Sequence, residues 1–527
     1  MSNNSDNNSL NTLNKKNPVQ DKDTIPMRIE FIKNLLGGTD LNPIVNFDDT
    51  STENFIGNVN SIDSGDTNDT RIVLKKRLLD FKNIITQIGG KLKYIKSGTT
   101  GHTFKGIAQD NNGSFEYAVK VVAYPKKERY GSINDVRRPE NAELKMIKLL
   151  SYFIINKQTP HLVIPFGTFN TSIEHFVNLV KFDKIDEKNE RYKEFVDRYH
   201  QSEFSSQVSI LISEWANKGD FLDFLRNNYK VFTATHWKVF MFQIISTLAI
   251  IQSKYPAFRH NDMKANNILV HKIDITKEYH RYTVIRHTYK IPNIGYQIKL
   301  WDFDFACIPG VVDNIKVEAK WTKKINVTPE QNRYYDVHYF FNTLIRKGFF
   351  PQILTDSCIP QDLKDFIGRV LPIKYRADTK YIHEKGRILI NDEFITPELI
   401  IKNDPYFDEF RTGRKKNINI ISQNNNIPLN QQNIQVSQSQ YSRQIHPQTQ
   451  PIEVTTNVYK LIKNDDNKNE INKNNIITKP IKTKLKKIKK NTNNNIDILK
   501  LLENTAEDNN NNDNNILDII NQKLNFK

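Results

Sequence analysis

Ten consecutive residues constrain this chain more than any other stretch: Arg259-His-Asn-Asp-Met-Lys-Ala-Asn-Asn-Ile268. They carry Asp262, Lys264 two positions later and Asn267 five positions later on one short loop. An apolar run, Ile268-Leu-Val270, follows at once. Farther on, Leu300-Trp-Asp-Phe-Asp304 places Asp302 at the end of another apolar strand. Phosphoryl transfer needs such a set: a carboxylate to orient a hydroxyl, a Lys near the transferred phosphate, and an Asn and an Asp on metal ions.

The loop resembles the catalytic loop H-R-D-L-x-x-x-N of protein kinases, and Asp302-Phe-Asp304 resembles their D-F-G. By that resemblance Asp262 is the base or hydroxyl-positioning group and Lys264 steadies the γ-phosphate. Asn267 and Asp302 bind Mg²⁺, a cation that prefers oxygen ligands and substrate phosphates. A lone H-x-D is unspecific, but His260, Asp262, Lys264, Asn267 and Asp302 in this order are not. Lys264 also separates Ser/Thr protein kinases from small-molecule phosphotransferases with a similar layout.

Upstream residues complete the resemblance. Lys120, in Tyr117-Ala-Val-Lys-Val121, matches the strand Lys that meets the nucleotide's α- and β-phosphates, and a helix carboxylate must hold it. Glu143 is the candidate partner and Glu140 the second. Gly98 and Gly101 fall on the second and third glycines of G-x-G-x-x-G, with Lys96 in place of the first; glycine lets the backbone approach phosphate closely. Ser213-Glu-Trp-Ala-Asn-Lys-Gly-Asp220 resembles the segment between lobes. There Glu214 and Ala216 offer backbone groups to adenine, Asp220 reaches the ribose or caps a helix, and small Ser213 leaves a back pocket open. Asp336, in Tyr334-Tyr-Asp-Val-His338, matches the buried Asp that braces the catalytic loop. Residues 396–407 look like the closing segment of the large lobe.

The resemblance spans residues 88–411 and implies an α+β, two-lobed protein-kinase-like fold. A small antiparallel β-sheet lobe covers 88–215 and a mainly helical large lobe 216–411. Two stretches read as insertions: charged residues 171–207, and residues 272–296, whose alternation suggests an enlarged hairpin. Apolar positions at helical spacing predict one leading helix over 71–87.

Three departures stand out. Asn261 replaces the Arg that grips a phosphorylated activation loop, so that switch is not expected. Asp304 replaces the Gly of D-F-G, where positive φ suits Gly better than Asp. No clear A-P-E is present beyond Val327-Thr-Pro-Glu330. Cys307 reads as a buried, inert thiol.

Composition enters at the ends of the chain. Asn, Ser, Asp, Lys and Gln dominate residues 1–70 and 412–527, whereas all four Trp lie between. One globular body of about 340 residues with two polar, largely disordered tails fits better than several domains. The net charge of +17 suits an acidic partner. Seven Lys and no acid between Lys479 and Lys490 read as a solvated tail or as a patch for nucleic acid or nuclear import. Two cysteines permit one bridge at most and point to a reducing, intracellular compartment. Met1-Ser-Asn-Asn-Ser5 has no apolar leader, and no transmembrane stretch is expected.

These readings lead to a Ser/Thr protein kinase using ATP and Mg²⁺ on protein substrates. The other reading is a pseudokinase or scaffold that binds nucleotide weakly and recruits an acidic partner through the basic tail. The Asn, Ile and Lys bias resembles the style of kinases from large DNA viruses or an AT-rich protist.

Overall fold

In a computed structural model, the described residues are 24–56, 69–98, 100–110, 113–180, 188–377, 379–391 and 395–412. The basic run Lys479–Lys490 lies outside them. A five-stranded antiparallel sheet builds the small lobe. Its strands are β1 (Lys91–Ser97), β2 (Gly101–Asp110), β3 (Gly113–Pro125), β4 (Pro165–Ser172) and β5 (Phe204–Glu214), in spatial order β1-β2-β3-β5-β4. Val119, Val121 and Ala123 alternate inward along β3 and are fully buried, which fixes its register against Ile212, Ile210 and Val208 of β5. The helix Pro139–Ile155 starts with Pro in its first turn, where a missing N–H costs nothing.

The large lobe forms around the helix Ala234–Lys254. A capping box starts it: Thr233 accepts from the His236 backbone, and the His236 side chain accepts from that of Thr233. By length and composition this helix could cross a membrane. Its Phe240, Ile244, Leu248 and Ile251 are fully buried in the core instead, which is why it is apolar all round. Strands β6 (Ile268–Lys272) and β9 (Tyr296–Leu300) pair antiparallel, with Ile268 opposite Leu300. Between them β7 (Tyr279–Val284) and β8 (His287–Pro292) form a hairpin.

Two sequence expectations change. Spacing over 71–87 predicts one helix, but the chain forms Thr70–Val73 and Phe81–Ile88. Lys75 takes φ +53° between them, Lys76 turns into the core, and Asp80 caps the second helix by accepting from the Asn83 N–H at 2.7 Å.

Residues 24–56 fall in the polar segment where composition predicts disorder, yet they fold onto the small lobe. The helix Ile25–Leu36 buries Ile32 and Leu35, and Phe31 meets Phe115 edge-on with ring centroids 4.4 Å apart. Pro43 bridges to Gly167, and the Ile44 N–H donates to the Phe166 carbonyl at 3.2 Å. On β4 this contact occupies backbone groups that an edge strand would leave open. Apolar burial decides the outcome: the segment is polar on average but supplies Ile32, Leu41, Ile44, Val45 and Phe55 to the core.

Candidate active site

Strand β3 and the helix Pro139–Ile155 together place the first charged pair. Lys120 Nζ lies 2.6 Å from Glu143 Oε1 and 3.4 Å from Asp302 Oδ1. Burial pulls the Lys120 ammonium down, but Glu143 and Asp302 more than offset it, and the net shift is upward. Glu140, the second candidate, is buried on Arg138 at 3.1 Å. The Lys120 partner is therefore Glu143.

A buried carboxylate holds the polar loop from beneath. Asp336, fully buried, accepts the His260 N–H at 2.8 Å and the Asn261 N–H at 3.0 Å. His260 Nε2 meets the Trp301 carbonyl at 2.9 Å, which ties the loop to the strand end carrying Asp302. The Trp301 N–H in turn donates to the Asn267 carbonyl at 3.1 Å. The β6–β9 register thus brings Asn267 and Asp302 to adjoining strand ends. Asp302 takes φ +61°, a left-handed conformation rarely held by a non-glycine residue.

Asp262 is nearly buried and surrounded by donors. Asn267 Nδ2 donates to its Oδ2 at 3.0 Å, and Lys264 Nζ sits 3.4 Å from the same oxygen. Arg387 Nη2 donates to Oδ1 at 3.0 Å. Burial raises the Asp262 carboxyl, but Lys264, Arg387 and His260 outweigh it and hold it below the usual range. Asn267 spends its amide N–H groups on Asp262, which leaves the amide oxygen for a cation. Among the described residues no group of three His, Cys, Asp or Glu side chains could hold a metal by itself. Asn267 and Asp302 suit a cation that takes its remaining ligands from phosphate and water.

The glycine-bearing turn and the inter-lobe segment flank this centre. Gly98 donates its N–H to the Gly101 carbonyl at 2.8 Å, closing the turn. A Cβ on Gly101 would come within 1.8 Å of the Val121 carbonyl oxygen, so only glycine fits there. Lys96 is on β1 and exposed, and its charge acts on Asp220. Asp220 caps the helix Phe221–Asn228 through the Asp223 N–H at 3.0 Å. The Glu214 N–H is taken by the Ile164 carbonyl at 3.1 Å. Ser213 is buried, and Ala216 lies just past β5, also buried.

The departures have physical counterparts. Asn261 Nδ2 donates to the carbonyls of Phe305 at 3.0 Å and Thr328 at 3.3 Å, joining both ends of the segment after Asp302. Arg259 adds bonds to Thr328 Oγ1 at 2.8 Å and to the carbonyls of Glu330 and Asn326. Asn261 and the Arg259 guanidinium thus fasten this segment to the loop through side-chain hydrogen bonds. Asp304 is not in the positive-φ region and pairs with Lys316. The backbone concern raised by replacing Gly at this position is therefore lifted. Burial pushes the Cys307 thiol up to about 12, as for an inert thiol.

Sequence reasoning misses two residues at this site. Arg387 reaches Asp262 from 125 positions away. Arg28 forms a pair with Glu214, Nε to Oε1 at 2.5 Å. Neither belongs to a motif.

Comparison with known proteins places the chain in a kinase family. Residues 126–408, more than half of the chain, match the model of the poxvirus serine/threonine protein kinase family. The chain belongs to that family. The matched region contains Glu143, Asp262, Lys264, Asn267, Asp302, Asp336 and Arg387; Lys120 precedes it. A chain of Acanthamoeba polyphaga mimivirus, provisionally named serine/threonine-protein kinase R400, is 51% identical over 390 residues, covering 73% of this chain and 80% of the relative. Serine/threonine-protein kinase 2 of swinepox virus is 34% identical over 133 residues, 24% of this chain and 27% of the relative. A second mimivirus chain, provisionally named serine/threonine-protein kinase R301, is 26% identical over 365 residues, 59% and 87%. The match thus takes in the large lobe and the part of the small lobe from residue 126 onward.

Proposed function

We propose that the chain is an active protein kinase that transfers the γ-phosphate of Mg-ATP to Ser or Thr hydroxyls of proteins. One observation carries the reading: Lys120 bridges Glu143 and Asp302, at 2.6 and 3.4 Å, while the adjoining loop presents Asp262 beside Lys264. A chain kept only as a scaffold has no need of this charge set. Lys120 binds the α- and β-phosphates, held by Glu143. Asn267 and Asp302 would hold Mg²⁺, which when bound would supply positive charge against the phosphate oxygens. Asp262 orients the acceptor hydroxyl and takes its proton, and Lys264 balances charge on the transferred group. The backbone of Glu214 and Ala216 lines the adenine edge, and Gly98 and Gly101 cover the phosphates.

Incubation with γ-labelled Mg-ATP and a protein acceptor, followed by phosphoamino acid analysis, tests this. Label on Ser or Thr is expected. Label on Tyr alone contradicts the assigned specificity.

A further inference from the structure

We propose that Arg387, from outside the catalytic loop, is a positioning residue for Asp262: its guanidinium fixes the plane of the carboxylate that receives the acceptor hydroxyl. This inference rests on the kinase reading and deepens it. Asn267 and Lys264 both approach Oδ2, and both come from the same short loop as Asp262. Hydrogen bonds to one oxygen leave a carboxylate some rocking about its last side-chain bond, and a donor on the other oxygen narrows it. Arg387 supplies the grip on Oδ1, at 3.0 Å.

The contact is built rather than incidental. Arg387 is 3% exposed, so it does not meet substrate from solvent. Its guanidinium lies 4.4 Å from the centre of the Tyr339 ring. Tyr339 belongs to the helix Tyr335–Leu344, the same helix that contributes Asp336. Asn342 of that helix donates to the Gly386 carbonyl at 2.8 Å. Gly386 takes φ +82°, a backbone conformation that L side chains rarely adopt, so the turn presenting Arg387 favours glycine. One helix therefore sets both supports of the loop, Asp336 beneath its backbone and Arg387 on its carboxylate.

Arg387 leaves room for chemistry. A carboxylate offers about four lone-pair sites, and this contact takes one of the two on Oδ1. Phosphoryl transfer depends more on placement of the hydroxyl than on the strength of the base, so a cation on Asp262 is tolerable when it improves placement. Misplacement of a reacting group by 1 Å can cost roughly 100-fold in rate.

The test compares wild type, Arg387→Ala, Arg387→Lys and Asp262→Asn, with Mg-ATP and a lysine-rich histone as acceptor. For Arg387→Ala, assayed well below its lowered unfolding midpoint, kcat should fall about 10- to 100-fold while KM for ATP stays near wild type. Arg387→Lys should lie between. Millimolar methylguanidine should restore part of the rate to Arg387→Ala and none to Asp262→Asn. An unchanged or increased kcat in Arg387→Ala overturns the proposal. So does a loss that comes with weakened ATP binding and no rescue. A wild type that binds Mg-ATP without transferring phosphate overturns the kinase reading itself, and the positioning role with it.

Discussion

Arg28 grips Glu214 through two parallel hydrogen bonds, Nε to Oε1 at 2.5 Å and Nη2 to Oε2 at 2.7 Å. The guanidinium also donates to the carbonyls of Pro160 and Leu162, and Glu214 accepts the Ile164 N–H. A bidentate fork of this kind adds direction as well as energy. It ties the N-terminal helix to the last residue of β5, where the chain passes between lobes. Burial raises the Glu214 carboxyl, but Arg28 more than reverses this.

Removing one partner of such a pair strands the other in a dry site. Arg28→Ala should lose about 3 kcal/mol of stability, read as a lower urea midpoint. Adding Glu214→Gln should recover part of the loss, because the orphan charge is then gone. A midpoint equal to wild type in Arg28→Ala would show that the N-terminal helix is not held by this contact.

On the proposed reading, the pair Lys120–Glu143 serves the nucleotide more than the fold. Lys120→Met should lower kcat at least 100-fold, a loss of roughly 3 kcal/mol in transition-state stabilisation. Glu143→Gln should lower it less, since the Lys charge remains. Steady-state transfer rates at saturating Mg-ATP check both. Full activity in Lys120→Met would contradict the assignment of that residue.

Asn261 and Arg259 order the segment after Asp302 without a phosphate. Phosphatase-treated protein should therefore keep its initial rate of acceptor phosphorylation. A severalfold drop, reversed by preincubation with Mg-ATP, would mean that a phosphorylated loop is needed after all.

Lys76 gives a pH signature. It is buried among Tyr124 Oη, Ser209 Oγ at 2.8 Å and Asn141 Oδ1 at 3.1 Å, and burial pulls its ammonium from 10.5 down to about 7. Between those values the unfolded chain holds the proton and the folded chain does not. Stability from this group therefore rises with pH across that window and is lowest at or below the folded value. Relative to Lys76→Met, wild type should gain stability between about pH 7 and pH 10. Parallel pH profiles for the two proteins would contradict a neutral buried Lys76.

How much was legible follows from how local each signal is. Asp262, Lys264 and Asn267 share one loop, and the apolar strands after Asn267 and before Asp302 fix where that loop and Asp302 lie. Lys120 and Glu143 were recoverable because a strand and a helix of clear pattern carry them. The helices Tyr335–Leu344 and Gln361–Val370 also follow their apolar spacing. Arg387 was not legible, because its partner lies far away in sequence and only the tertiary turn at Gly386 joins them. Arg28 was hidden in a segment whose average polarity masks a few well-placed apolar residues. Helical spacing over 71–87 misled because Lys76 is recruited by distant polar groups, and tertiary contacts outweigh propensity there.

Phosphate transfer from γ-labelled Mg-ATP, measured side by side for wild type and Asp262→Asn, tests the central claim most directly. Wild type should label a basic protein acceptor, and Asp262→Asn should bind Mg-ATP with similar affinity yet transfer at least 100-fold more slowly, since the hydroxyl loses the base that takes its proton. Equal transfer by both proteins would contradict the role of Asp262. Binding without transfer in wild type would make the chain a pseudokinase, and no nucleotide binding at all would contradict the roles given to Lys120 and Asp302.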